Sequence, residues 1–423
     1  MKNRRSFLKK SLSSSALLLM GGQRAFSNSS HAKLSPADLD SELEAILNKP
    51  VLRRGYFPNP VILESVDLLI NGSHYIVRVR STDGAEGYAI SNEGRMPNLW
   101  PFFIQQVAPY FKGKDARDLD FLVDDCLNYN SNYKYMSMAA LLPIASAEFA
   151  ILELLGQISG KSAGELMGEV IRPEIDVYTA NNYRGKSAEE SVERIVAIHK
   201  EENSKAVKFK LGGRMGLPEE PPGRSEKLIP MLRKALGDEV VIYADANGSY
   251  EVEEAIKIGR LLEEINVAFF EEPCPFDWIW ETKAIGDALA VPIAGGEQES
   301  SMRRFRWMVA NDGLQVFQPD LFYFGGFIRS IKVARMAEFV NKPCTPHMSG
   351  WGLGSLYMLH YASIVPNAGA HQEYKGVSHD IPFESSAGSL EAREGKVAVP
   401  KGPGFGVSLD PNWIAKSKEL NNG

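Results

Sequence analysis

Short apolar runs that each end in a polar, mostly acidic residue recur at nearly constant intervals through the second half of the chain. The residues that close these runs are Asp245, Glu271, Glu297, Asp320, His347 and Glu373. Successive members are 26, 26, 23, 27 and 26 positions apart. A strand, a helix and their two turns take about 25 to 30 residues in a repeated βα unit. The spacing therefore predicts parallel strands whose polar ends face one shared pocket.

Eight apolar runs alternate with helical patterns from residue 176 onward, as a closed parallel barrel requires. They are DVYTA, AVKFKL, VVIYAD, VAFFE, VPIAGG, LQVFQ, KPCTP and GAHQE. We therefore predict an α/β fold with a (β/α)8-type barrel over residues 176–385. Active sites of such barrels lie at the C-terminal ends of the strands, so the pattern predicts an enzyme.

The segments on either side of the barrel are predicted to form an α+β domain that caps it. Residues 51–175 begin with alternating apolar runs around an Asn-Gly turn, which is a good hairpin signal, and continue with helical patterns. Residues 28–50 are predicted to be a leader followed by one helix. The Gly/Pro-rich segment 386–423 is expected to return to the capping domain.

The first 27 residues have the pattern of a twin-arginine export signal. Arg4 and Arg5 precede a modest apolar stretch at 16–20 and a small-x-small ending at 25–27. The apolar stretch is too short to be a permanent membrane anchor. A disordered basic tail is the alternative. We expect residues 1–27 to be removed on export, which would leave a periplasmic enzyme with no stable membrane anchor.

Charge and cysteine content limit the expected partners. The net charge of −6 gives no support for nucleic-acid binding, which requires clustered positive charge. Cys126, Cys274 and Cys344 are too few and too scattered for a disulfide framework, and packing roles are expected for them. A small-molecule substrate and a homo-oligomer are the expected partners.

Asp245, Glu271 and Glu297 end three neighbouring predicted strands and form an all-oxygen set. Hard divalent cations, Mg2+ above all, prefer such ligands. The alternative is that each carboxylate separately caps a helix or pairs with a lysine. Glu272 follows Glu271 directly, and strand alternation turns it the other way, so we take Glu271 as the ligand and Glu272 as the alternative. The pattern predicts one Mg2+ per active site.

Lys208 and Lys210 lie two positions apart in VKFKL, so their side chains share one face of the strand. That face points into the barrel with the polar strand ends. Repulsion between two ammonium groups is expected to lower the pKa of at least one. A lysine perturbed in this way can act as a general base. An exposed edge with alternating lysines is the alternative, and the surrounding apolar residues disfavour it.

Asp320 and His347 close consecutive runs and are predicted to meet across the barrel rim. A carboxylate on one ring nitrogen fixes the tautomer and makes the other nitrogen a better base. The pair is therefore predicted to be catalytic, and a structural role for a histidine that follows Pro346 is the alternative. His371, close to the eighth strand end, is a further candidate.

Taken in order, the motifs KFK, YADAN, FFEEP, GGE, QPD, TPH and HQE are similar to those of the mandelate racemase group of the enolase superfamily. The resemblance covers residues from about 140 to 385. It implies a Mg2+ site of Asp245, Glu271 and Glu297 that binds a substrate carboxylate. Abstraction of a proton from the adjacent carbon would then give an enediolate that the metal stabilises.

The resemblance also implies roles for the other site residues. Lys210 would be the base on one face and Lys208 its electrostatic partner, while the His347–Asp320 pair would be the acid or base on the other face. Glu373 would form a hydrogen bond with the enediolate oxygen.

Two reactions are open to a site with bases on both faces. Return of a proton by the opposite acid gives racemisation or epimerisation, whereas protonation of a departing β-hydroxyl gives dehydration. Many family members with this pair are acid-sugar dehydratases. We therefore expect dehydration of an aldonate- or uronate-type acid sugar to a 2-keto-3-deoxy acid. Racemisation or epimerisation of a 2-hydroxy or sugar acid is the main alternative.

Other functions are less expected. The residues that follow Asp320 contain no lysine where relatives resembling muconate cycloisomerase carry one, which disfavours a cycloisomerase. A periplasmic glycoside hydrolase would need only two carboxylates, and a non-catalytic binder of sugar acids would need neither base. The long Pro/Gly-rich turn that follows the second strand is predicted to be a lid. We expect its Arg214 or Arg224 to contact an anionic substrate.

Overall fold

The computed structural model of the protein describes residues 34–178, 180, 183–350, 352–377 and 380–421. The predicted export signal at residues 1–27 lies outside the described residues and stays a prediction.

Strands and helices alternate through most of the described chain. The strands are β1 Leu63–Asn71, β2 His74–Ser81, β3 Glu86–Ile90, β4 Glu174–Tyr178, β5 Ala206–Lys210, β6 Val241–Asp245, β7 Phe269–Glu271, β8 Ile293–Gly295, β9 Val316–Phe317, β10 Gln372–Glu373, β11 Phe383–Ser385, β12 Lys396–Ala398, β13 Val407–Leu409 and β14 Lys418–Glu419. The α-helices are α1 Pro36–Leu47, α2 Met96–Phe102, α3 Ala108–Phe111, α4 Leu119–Asp125, α5 Met138–Ser159, α6 Ala163–Met167, α7 Ala188–Glu202, α8 Arg224–Leu236, α9 Val252–Glu264, α10 Ile279–Ala288, α11 Met302–Ala310, α12 Phe327–Phe339, α13 Ser355–Ile364 and α14 Pro411–Ala415.

An antiparallel sheet in the order β14-β1-β2-β3 forms the strand layer of the capping part. The hairpin predicted at the Asn-Gly turn is confirmed, because Asn71 pairs with His74 and Gly72 takes a left-handed φ of 62°. The C-terminal segment reaches both parts of the fold. β14 pairs with β1, and β12 pairs antiparallel with β4.

Helix α5 packs against β2 and β3 and is apolar around most of its circumference. Among the described helices, it is the one long and apolar enough to cross a membrane, with a mean hydropathy of 1.8. In the structure 89% of that apolar window is buried inside the protein. Packing against the sheet and the barrel therefore accounts for its composition.

Parallel pairing in the order β5-β6-β7-β8-β9 forms most of the barrel wall. A bridge between Ala180 and Lys208 joins the chain beyond β4 to β5, and β10 pairs parallel with β4. The predicted (β/α)8-type barrel is confirmed. The register places Lys210, Asp245 and Glu271 side by side at the C-terminal edge.

The seventh predicted strand, KPCTP, is the exception in the barrel wall. It makes only isolated bridges, between Phe317 and Cys344 and between Asp320 and His347. Pro343 has no N–H to donate to a ladder, and neither does the proline before His347. A continuous strand therefore cannot form, although the segment still brings its histidine to the barrel mouth.

Aromatic side chains fill the barrel beneath its polar mouth. The ring centroids of Tyr178 and Tyr243 lie 5.0 Å apart, and those of Tyr243 and Phe269 lie 4.3 Å apart. The Tyr243 hydroxyl contacts His371 Nδ1 at 2.9 Å. His371 therefore lies in this lower layer and does not line the mouth.

Helix α12 of the barrel begins against a buried carboxylate of α5. Glu148 accepts hydrogen bonds from the backbone N–H groups of Phe327 at 2.5 Å and Ile328 at 3.0 Å. These are donors that the helix itself leaves without partners. Gly326 precedes them with a φ of 104°, and a Cβ at this position would lie 1.7 Å from Glu148 Oε2. Glycine is therefore required for α5 to dock on the barrel.

We expect Gly326→Ala to destabilise the protein by about 4 kcal/mol. The added methyl group displaces the Glu148 carboxylate from two buried donors, each at a cost of about 1–3 kcal/mol, and φ strain adds to this loss. Gly84→Ala is the matched control, because Gly84 has a φ of 90° and nothing within 4 Å of its added Cβ. The control should lose only about 1–2 kcal/mol. Equal losses of unfolding free energy in urea melts of the two variants would show that the clash does not matter.

Candidate active site

Three carboxylates converge at the barrel mouth. Asp245 ends β6, Glu271 ends β7, and Glu297 follows β8 by two residues. One oxygen from each lies within 4.8 Å of those of the other two, and all three residues are buried. The structure thus brings the predicted ligand set together, and we call these three residues the acidic triad.

The charges around the acidic triad fit a divalent cation. Negative charge is in excess, because three buried or half-buried lysines, Lys208, Lys210 and Lys375, face a larger number of carboxylates. The five buried carboxylates are Asp245, Glu271, Glu297, Asp320 and Glu373. Glu297 Oε2 is buried and accepts no hydrogen bond from the described residues. Uncompensated buried charge is costly, and Mg2+ prefers oxygen ligands of this kind. The residues present therefore suit Mg2+.

Glu272 lies apart from the acidic triad. Its φ of 40° ends the strand geometry, and its side chain lines a small cavity with Cys274 and Glu299. Glu271 is the member of the adjacent pair that faces Asp245 and Glu297. The geometry thus supports the choice of Glu271 over Glu272.

The Lys208 side chain is buried inside the barrel and forms hydrogen bonds with two carboxylates. Its Nζ donates to Glu271 Oε2 at 2.8 Å and to Glu373 Oε2 at 2.8 Å. Burial would lower the pKa of this ammonium group, but Glu271 and Glu373 outweigh burial and raise the pKa well above its ordinary value. The lowered pKa that we expected for at least one of the two lysines is therefore not found at Lys208. Its position is that of an electrostatic partner.

Lys210 stands at the mouth beside the first triad carboxylate. Its Nζ forms an ion pair with Asp245, and its side chain is 13% exposed, against 1% for Lys208. Burial would raise the pKa of Asp245, but Lys210 and Lys208 outweigh burial and hold it at about 2. Of the two lysines, Lys210 is therefore the one that substrate can reach.

The predicted hydrogen bond between Asp320 and His347 is present, with 2.7 Å between Oδ2 and Nδ1. A carboxylate only accepts, so Nδ1 carries a proton and Nε2 is the nitrogen available for chemistry. Nε2 lies 3.3 Å from Glu297 Oε2 and 4.0 Å from Glu373 Oε2. Burial would lower the pKa of His347, but Glu297 and Asp320 outweigh burial and raise it.

Glu373 is paired with cations on two sides. Lys208 Nζ lies 2.8 Å from its Oε2, and Lys375 Nζ lies 3.5 Å from its Oε1. Burial would raise the pKa of Glu373, but Lys208 and Lys375 outweigh burial and lower it well below its ordinary value. Glu373 is thus a hydrogen-bond acceptor in this structure. Lys375 was missed from the sequence, although it lies two positions beyond Glu373 and so could share its face.

Asn247, which belongs to the motif YADAN, forms hydrogen bonds with the first triad carboxylate, a role that was not predicted from the sequence. Its backbone N–H donates to Asp245 Oδ1 at 2.8 Å, and its Nδ2 lies 3.4 Å from Asp245 Oδ2. Its own Oδ1 is buried and accepts no hydrogen bond from the described residues. Its position, two residues beyond the acidic residue that ends β6, was the sequence signal that could have identified it.

The two arginines that were predicted to contact substrate, Arg214 and Arg224, have different positions. Arg224 is buried and donates to backbone carbonyls, at 3.0 Å to Lys186 O and 3.0 Å to Lys210 O. It braces the end of β5 and is not available to substrate, so that part of the prediction is wrong. Arg214 is exposed in the turn, and its contact with substrate stays a prediction.

Comparisons with known proteins agree with this geometry. A model of the family described as "Enolase C-terminal domain-like" matches residues 190–413. An arabinonate dehydratase of Saccharolobus solfataricus is 25% identical over 332 residues, which cover 78% of this chain and 87% of that protein.

Solved structures show the same fold. The crystal structure of a candidate racemase from Roseobacter denitrificans aligns with a TM-score of 0.78 and 30% identity, over 85% of this chain and 99% of that one. A mandelate racemase/muconate lactonizing protein from Paracoccus denitrificans PD1222, complexed with magnesium, aligns with a TM-score of 0.76 and 22% identity. That alignment covers 86% of this chain and 100% of the other.

Proposed function

Because the chain belongs to the enolase superfamily, within its mandelate racemase group, we propose that it is a Mg2+-dependent dehydratase of acid sugars. The substrate class is an aldonate- or uronate-type acid, and the product is a 2-keto-3-deoxy acid. The arabinonate dehydratase relative supports this assignment. A cycloisomerase and a glycoside hydrolase gain no support from the residues at the mouth.

The observation that carries the proposal is the position of two proton-transfer groups at opposite ends of the acidic triad. Lys210 pairs with Asp245 at one end. His347 Nε2 lies 3.3 Å from Glu297 Oε2 at the other end. A substrate carboxylate held between them presents its adjacent carbon to one group and its next carbon to the other. One site can then carry out both proton transfers of a dehydration, which are removal of the α-proton and protonation of the β-hydroxyl.

The residues divide the reaction between them. The ammonium form of Lys210 would be disfavoured by repulsion from a cation held by Asp245, and the unprotonated amine then takes the proton from the carbon next to the carboxylate. His347 donates the proton on Nε2 to the β-hydroxyl, which leaves as water with the electron pair of its C–O bond. The enol that remains tautomerises to the 2-keto-3-deoxy acid. When bound by the acidic triad, one Mg2+ would supply positive charge that stabilises the negative charge developing on the substrate carboxylate.

A screen of mono- and diacid sugars with Mg2+ in D2O tests the proposed function. Release of a 2-keto product from one or a few stereoisomers is the expected result. Uptake of deuterium with all hydroxyls retained would replace dehydration by racemisation or epimerisation, which the candidate racemase structure makes the second possibility. If no acid sugar gives a 2-keto product or takes up deuterium, dehydration and racemisation or epimerisation are both refuted.

We expect His347→Asn to separate the two proton transfers. Loss of the acid should lower product formation by about 10^2- to 10^3-fold, because the β-hydroxyl then departs without a proton donor. Exchange of the α-proton in D2O should persist, since Lys210 is intact. NMR of recovered substrate measures this exchange. Equal losses of exchange and product formation would contradict the division of roles between His347 and Lys210.

We also propose a periplasmic location reached by the twin-arginine route, and a homo-oligomeric state. Arg4 and Arg5 before a short apolar stretch support the export proposal. Arg4→Lys with Arg5→Lys should leave the protein in the cytoplasmic fraction with its leader attached. A wild-type protein that keeps Met1 and stays in that fraction would refute export.

A further inference from the structure

Asp320, the carboxylate behind His347, is held by donors from two loops. Its Oδ1 accepts from the backbone N–H groups of Phe322 at 2.8 Å and Tyr323 at 2.7 Å. The backbone N–H of Ser349 donates to Oδ2 at 2.7 Å, and the Ser349 hydroxyl donates to Oδ1 at 3.0 Å. Ser349 therefore supplies two of the four donors that fix the carboxylate against His347.

The direction of the Ser349 hydroxyl is set from the capping part of the chain. Asn92 Nδ2 donates to Ser349 Oγ at 3.1 Å. A serine hydroxyl has one proton, so accepting from Asn92 leaves that proton to be donated to Asp320. Both residues are buried, at 2% and 8% exposure, which strengthens the hydrogen bonds and makes their loss costly.

Asn92 is itself fixed by the segment that carries it. The Tyr357 hydroxyl of the barrel helix α13 donates to Ile90 O at 2.8 Å, and Ser91 Oγ lies 2.7 Å from Ser146 Oγ of α5. Asn92 O accepts from the backbone N–H of Met96 at 2.9 Å. The Asn92 amide group thus contacts Ser349 from a segment that forms hydrogen bonds with both the barrel helix α13 and helix α5.

We propose that Asn92 and Ser349 are positioning residues for His347, in a hydrogen-bonded relay that runs Asn92–Ser349–Asp320–His347. The relay links docking of the capping part to the orientation and tautomer of the acid. Neither residue touches the reacting atoms. Partners behind a functional histidine of this kind typically contribute about 10- to 100-fold to activity. The kinetic part of this proposal rests on the proposed function.

The kinetic test uses Ser349→Ala, Asn92→Ala and the double variant. Each single variant should lower kcat for dehydration about tenfold, with KM within about twofold and α-proton exchange at Lys210 retained. The double variant should be no slower than the slower single variant, because both act through one relay. Ser363→Ala is the control, since Ser363 is buried but its hydroxyl contacts His360 O, away from the mouth.

Several kinetic outcomes would overturn the relay. One is a Ser349→Ala rate within twofold of the Ser363→Ala rate. Another is a double variant whose loss is the product of the two single losses. Equal loss of exchange and dehydration would point to general damage and count against the relay as well. If Ser349→Ala does not fold, the rate of Asn92→Ala is compared with that of Ser363→Ala, and the same limits apply.

A spectroscopic test needs no substrate. Imidazole 15N shifts of the resting wild-type protein should show His347 protonated on Nδ1, and Ser349→Ala and Asn92→Ala should both move these shifts toward a mixture of tautomers. Unchanged shifts in both variants would overturn the relay. If the wild-type protein dehydrates no acid sugar, the proposed function fails, and this spectrum alone decides whether the relay exists.

Discussion

Lys210→Ala should abolish both α-proton exchange and product formation, each by about 10^3- to 10^4-fold. The side chain is the partly exposed lysine at the mouth, beside Asp245, whereas the neighbouring Lys208 is buried and donates to Glu271 and Glu373. Substrate affinity should change only a few-fold, because the acidic triad is intact. Exchange in D2O and steady-state kinetics measure the two losses. This pattern differs from that of His347→Asn, which keeps the exchange.

The control for this variant is Lys205→Ala. Lys205 is an exposed lysine one position before β5, at the opposite end of the strand from Lys210. Its replacement should leave both rates within about twofold. A Lys210→Ala protein that still exchanges the α-proton at the wild-type rate would show that another group removes it.

Glu271→Gln should lose Mg2+ binding and lower the rate by about 10^3-fold or more, because a metal ion contributes several kcal/mol of transition-state stabilisation. The substitution removes one of the three carboxylates of the acidic triad and also one partner of Lys208. Calorimetric titration with Mg2+ measures the affinity, and turnover of the active acid sugar measures the rate.

Glu272→Gln is the matched control, because the two glutamates are adjacent in sequence and both are buried. Glu272 faces the cavity that Cys274 lines. Its amide variant should keep Mg2+ affinity and turnover within about threefold. The reverse pattern, with Glu272→Gln inactive and Glu271→Gln active, would show that Glu272 and not Glu271 is the metal ligand.

The barrel and its mouth could be predicted because both follow from repetition. Each βα unit has nearly the same length, so polar residues that close successive runs must reach the same edge. Asp245, Glu271 and Glu297 are brought together by that register alone. The Asp320–His347 hydrogen bond follows from the same periodicity, even though the segment around His347 is too rich in proline to form a full strand.

Contacts that do not repeat could not be predicted. Asn92 meets Ser349 across 257 positions, and Glu148 meets Phe327 across 179. Both contacts depend on how the capping part docks on the barrel, and no periodic pattern encodes this docking. The charge state of Lys208 depends in the same way on Glu271 and Glu373, which arrive from separate strands. Its raised pKa is therefore a property of the assembled barrel.

Exchange of the α-proton of an active acid sugar in D2O, followed by NMR with metal-depleted protein and again after Mg2+ is restored, tests the central claim most directly. We predict no detectable exchange without the ion and full recovery when Mg2+ is added back. Undiminished exchange by the metal-depleted protein would contradict a site in which Asp245, Glu271 and Glu297 act through a bound cation.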